Sequence, residues 1–168
     1  MKQTFFILTI ILFVSCGNTS ETKKIIEQSS TKFIEQKDNL PADVALKFIN
    51  SYVDNCNKMN KSIGVIEWVN SNHLTTDRFK FELKTIVDEA YKEDRELGLG
   101  FDPIFDAQDY PDKGFELESF DSKTNFVVVK GKNWANFKST IKLVFENDNW
   151  LVDGCGIINI PNEKRIAR

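Results

Sequence analysis

Hydrophobic spacing changes period once along this chain, and that change constrains the fold more than any other feature. From Pro41 to Asp94 apolar residues recur at three- and four-residue steps, and from Phe115 onward they alternate. The crossing between the two regimes is Leu97 through Pro111, reading LGLGFDPIFDAQDYP. Helices first and an antiparallel sheet afterwards make an α+β fold, with the helices covering one face of the sheet. A curved sheet closed by helices leaves a concavity, which is the natural place for a pocket.

In the helical half, Pro41 suits a first helical position and Asp43 places a carboxylate near the positive end of the helix dipole. Ala45, Phe48, Ile49, Tyr52, Val53 and Cys56 then form a core-facing stripe, and the polar run Asn57 to Ser62 ends it. Gly64 to Asn72 reads as a short second helix that lays Trp68 on the core. Thr75 is the expected N-cap of a third helix, with Leu74 and Phe79 as a hydrophobic staple. Its stripe of Phe79, Leu83, Ile86, Val87 and Ala90 should stop near Asp94, before Gly98 and Gly100.

In the alternating half, Phe115 and Leu117 point one way against Glu116 and Glu118, and Phe126 to Val129 is apolar on both faces. Phe137, Ser139, Ile141, Leu143 and Phe145 alternate with charged or polar neighbours. Asp121 to Thr124 and Asn147-Asp148-Asn149 carry turn chemistry, which predicts an antiparallel meander. The last strand is expected over Trp150 to Ile160, with a bulge or close approach at Gly154 and Gly156.

Ahead of the domain, Lys2 and the apolar run Phe5 to Val14 are too short for the roughly 20 residues a spanning helix needs. Ser15 and Cys16 follow, and Leu12-Phe13-Val14-Ser15-Cys16 resembles the lipobox of a bacterial lipoprotein signal. The resemblance implies a signal peptide over 1–15, acylation of Cys16 by chains such as palmitate, and anchoring in the bilayer of the cell envelope, with the outer membrane as the expected address. An ordinary secretory peptide is the alternative. Residues 16–39 are polar, with isolated Ile25, Ile26, Phe33 and Ile34, and read as a tether. The domain is expected over 40–168.

The sequence is 168 residues long, with 14 phenylalanines and a net charge of −3. Acidic and without a basic run, it is a poor nucleic-acid binder. Cys56 and Cys155 could join in an export compartment or remain as buried thiols. Neither has a Cys or His at ligand spacing, so no zinc site is expected.

Three strings, WVNSNHLTTDRFKFELKTIVDEAY, GFDPIFDAQDYPDKGFELESF and WLVDGCGIINIP, resemble a group of small bacterial lipoproteins placed in the NTF2-like superfamily. The resemblance implies a cone in which a bent sheet wraps a long helix, and a function ranging from isomerase to pure binding domain. Enzymes of that superfamily pair an acid or histidine base with a tyrosine donor in the pocket. The candidates here are Asp153, Asp102, Tyr52 and Tyr110. His73 is the single histidine, at the start of a helix, and no nucleophile elbow or Cys–His motif is present.

For binding, the crossing offers Asp102, Asp106, Gln108, Asp109 and Tyr110, and Trp134 sits in a turn where it should be exposed. With Asp112, the same carboxylates could ligate a hard cation, but their spacing lacks the EF-hand pattern and suits Asx turns, so no metal or other cofactor is expected. The leading expectation is therefore a lipid-anchored, non-enzymatic domain that binds a protein or small ligand. The alternatives are an isomerase or hydrolase with an Asp and Tyr pair, or an immunity or inhibitor protein against an envelope toxin.

Overall fold

The computed structural model describes residues 40–167. The expected signal segment, Cys16 and the tether lie outside the described residues. The domain opens with α1 (Pro41–Cys56), α2 (Val65–Ser71) and α3 (Asp77–Glu93). It continues with β1 (Phe115–Asp121), β2 (Phe126–Gly131), β3 (Lys138–Glu146) and β4 (Asn149–Cys155), paired antiparallel in the order β1-β2-β3-β4. This is an α+β domain, with a curved meander and helices against it.

α1 is the helix on which the sheet rests, touching all four strands. Pro41 occupies its first turn, and Ala45, Phe48, Ile49, Tyr52 and Val53 are buried as their spacing predicts. Two buried or half-buried amides extend its reach. Asn50 exchanges hydrogen bonds with the Phe115 backbone (Oδ1 accepts at 2.7 Å, Nδ2 donates at 3.1 Å), acting as a substitute strand partner at the start of β1. Asn55 does the same for Ile63 and fixes the return to α2. Phe48, Tyr52 and Trp68 pack ring to ring, so Trp68 is core as expected.

The cap of α3 lies one residue later than the sequence suggests. Thr76, not Thr75, accepts from the Phe79 amide at 3.0 Å. Thr75 is instead drawn down to the sheet, where it bridges Val152 and its hydroxyl donates to the Asn72 carbonyl. Both threonines suit a cap chemically, and the tertiary bridge decides between them.

The meander has two bulges. One falls between Leu117 and Ser119 on edge strand β1, and Leu117, expected to share the buried face with Phe115, stays 42% exposed. The other leaves Asp153 unpaired, since Lys142 faces Gly154 and Leu143 faces Val152. At the β3–β4 hairpin Asn147 and Asp148 both take positive φ, the geometry a two-residue turn requires. Phe145, predicted inward, is 57% exposed and packs on half-buried Trp150 across that hairpin. β4 also ends at Cys155 rather than Ile160. Gly156 turns there with φ +60°, and a Cβ would meet the Ile104 carbonyl oxygen at 2.5 Å, so the chain cannot continue flat.

Candidate functional site

The crossing segment docks as a plug. Pro103, Ile104 and Phe105 are buried, the Phe105 ring stacks on Tyr110 at 4.9 Å, and the Tyr52 ring lies tilted against it at 5.0 Å. Backbone bonds close the loop on itself, with Asp102 N donating to Ala107 O at 2.9 Å and Asp106 N to Asp102 O at 2.8 Å. The far end of β4 holds it in place, because Ile157 N donates to Pro103 O and the Cys155 thiol to Ile104 O.

Asp102 organises the plug. Its Oδ1 accepts from the Ile104 and Phe105 amides at 2.8 and 3.0 Å, an Asx turn of the expected kind, while Oδ2 accepts from the Tyr52 hydroxyl at 2.5 Å. Burial raises the Asp102 pKa, and the three donors oppose that rise by favouring the charged form. Burial, then the Asp102 charge, push the Tyr52 phenol far up, so it remains a donor. Cys56 beside them is raised to about 11, by burial first and by Asp102 second. The sequence did not signal Cys56 as part of this group. Cys56 and Cys155 are not joined in a disulfide.

Of the four residues considered for acid–base work, then, Tyr52 and Asp102 meet. Tyr110 turns outward and donates to Asn57 Oδ1 at 3.2 Å, with its pKa raised by burial. Asp153 belongs to a different cluster. It is 2% exposed in the β4 bulge, where Oδ1 accepts from Thr76 Oγ1 at 3.0 Å and Arg78 Nε at 2.9 Å. Its Oδ2 makes no hydrogen bond of regular geometry and is met by charge, from Arg78 Nη2 and from Lys142 Nζ at 3.1 Å. Burial, then the Arg78 charge, lower the Lys142 pKa. Arg78 and Lys142 sit on different elements, and no spacing in the sequence joins them.

The residues expected to bind fall together more fully. Asp106, Gln108 and Asp109 from the plug, with Trp134, Asn136 and Phe137 from the β2–β3 loop, line one cleft of about 470 Å3. Trp134 is 46% exposed and rests on Phe137 at 5.0 Å, which fixes one wall. Asp102 and Tyr110 are not among the lining residues. Asp112 bonds Asn133 Nδ2 at 2.6 Å, so the carboxylates of the segment diverge. Among the described residues no group of three or more His, Cys, Asp or Glu side chains is set to hold a metal ion.

No family model matches the chain, and neither the curated proteins nor the solved structures show a match to it. The class that the fold defines is a small α+β domain with an antiparallel meander and an acidic, tryptophan-walled cleft at one edge.

Proposed function

We propose that the chain is a lipoprotein of the bacterial cell envelope, anchored through acylated Cys16, whose NTF2-like domain binds a protein or small ligand without catalysing a reaction. The observation that supports this reading is the cleft itself. Asp106, Gln108 and Asp109 belong to one loop and Trp134 to another, and the fold brings all four to one concavity. An exposed tryptophan beside carboxylates and amides offers an apolar face and directional acceptors together, the composition of a recognition site. The NTF2-like assignment draws on the helix-then-meander order and on α1 lying across all four strands.

The test is capture from the envelope followed by substitution. The full chain, isolated gently from an exporting bacterium, should retain a partner or a small mass in native mass spectrometry. Trp134→Ala combined with Asp106→Asn and Asp109→Asn should reduce that retention at least tenfold without lowering the melting temperature. Undiminished retention in the triple variant would sink the cleft as the binding site.

A further inference from the structure

A second groove, of about 380 Å3, lies between α2, the end of α3 and the plug. Val65, Val87, Tyr91, Leu99 and Phe101 supply its walls, and Asp102 is the one carboxylate among its lining residues. Three large apolar side chains that the fold leaves exposed, Tyr91, Leu97 and Phe101, gather at this single place. The Tyr91 ring is seated rather than loose, because a Cβ at Gly98 would meet its atoms at 2.8 Å. The Gln108 amide, which borders both this groove and the Trp134 cleft, donates to the Gly100 carbonyl at 3.2 Å.

The electrostatics of Asp102 narrow the choice of occupant. Its three hydrogen-bond donors are all neutral, and among the described residues no lysine, arginine or histidine pairs with it. A desolvated carboxylate without a counter-cation is an unfavourable arrangement that an incoming ammonium relieves. Oδ2 receives a single bond, from Tyr52, which leaves it a lone pair to offer. Exposed aromatic rings beside that anion add attraction for a cation and none for an anion. Apart from Asp102, the Gln108 amide and the Tyr91 hydroxyl, the side chains that line the groove are apolar, so the body attached to the ammonium is apolar. A cavity of this size suits one ring-sized molecule.

We infer that this groove binds a small apolar primary amine, with the ammonium on Asp102 and the apolar body against Tyr91 and Phe101. The site is distinct from the Trp134 cleft and stands whether or not that cleft takes a ligand. Isothermal titration of the full chain with phenethylamine, phenethyl alcohol and phenylacetate tests it. The amine should bind saturably, the alcohol at least tenfold more weakly, and the acid not at all. Asp102→Asn keeps an oxygen for the Ile104 and Phe105 amides and removes the charge, and it should weaken the amine at least tenfold. Should that variant not fold, Leu99→Lys decides, since it brings an internal ammonium to the groove and should give the same loss. Equal binding of amine and alcohol, an unchanged amine affinity in the folded variant, or no saturable heat with the amine would each overturn the inference.

Discussion

Tyr52 and Asp102 stand fifty residues apart in the chain and share one partly buried hydrogen bond. Burial raises the folded pKa of Asp102 above the ordinary 3.8, so the folded state holds this proton more tightly than the unfolded chain does. The contribution of the group to stability is therefore fullest below pH 3.8 and is lost as pH rises through the folded pKa. Tyr52→Phe deletes a donor that favours the charged form, which raises that pKa further. The expected cost is about 1.5–3 kcal/mol at neutral pH, the range for a hydrogen bond to a charged group. It should shrink as the carboxyl takes up its proton. Urea unfolding of both proteins at pH 7 and pH 4 checks this, and an equal penalty at the two pH values would show that the carboxylate charge is not what the phenol serves. Each residue was visible in the sequence as a candidate. Their meeting was not, because helical phase gives the direction of Tyr52 from α1 but nothing in a loop's composition fixes where its carboxylate points.

At the level of elements, periodicity carried the reading wherever burial alone decides a side chain's direction. The stripe of α1 and the buried positions of β2 and β3 follow it. It failed where an element has a neighbour on one side only or where a bulge changes the phase, at Leu117, Phe145 and the end of β4. The β4 bulge is also where one buried anion joins three elements. Asp153 takes bonds from Thr76 at the start of α3, from Arg78 two residues on, and an ion pair from Lys142 on β3. Asp153→Ala removes the anion and leaves Lys142 partly desolvated beside Arg78. Both cations can turn toward water, Arg78 being 58% exposed, so the expected cost is about 2–4 kcal/mol rather than the full penalty of a stranded buried charge. Arg78→Ala, which leaves Lys142 and Thr76 in place, should cost less. Chemical denaturation of the two variants gives the order. A larger loss from Arg78→Ala would mean that the exposed guanidinium, rather than the buried carboxylate, holds α3 to the sheet.

For the whole molecule, the questions of where the domain resides and what it meets lie at opposite ends of the chain. The order of elements and the acidic cleft follow from residues 40–167, whereas attachment rests on a short segment read by its chemistry alone. Among the described residues no helix is long and apolar enough to cross a membrane. The apolar run from Phe5 to Val14 is itself about half the length that a spanning helix needs. On the proposed reading membrane association rests on covalent lipid, in which each buried methylene contributes about 0.8 kcal/mol and two or more chains are needed for firm anchoring. The sulfur of Cys16 is the atom on which the lipobox resemblance places that lipid. The full chain made in an exporting bacterium should therefore partition into the detergent phase on cloud-point extraction, and Cys16→Ser should move it to the aqueous phase. Fold and ligand binding should be the same in both, because the substitution lies outside the domain. A wild-type chain that stays aqueous would favour an ordinary secretory peptide. A Cys16→Ser chain that still enters detergent would point instead to adsorption through exposed apolar side chains such as Phe81 on α3, and a charged substitution at Phe81 would then abolish it.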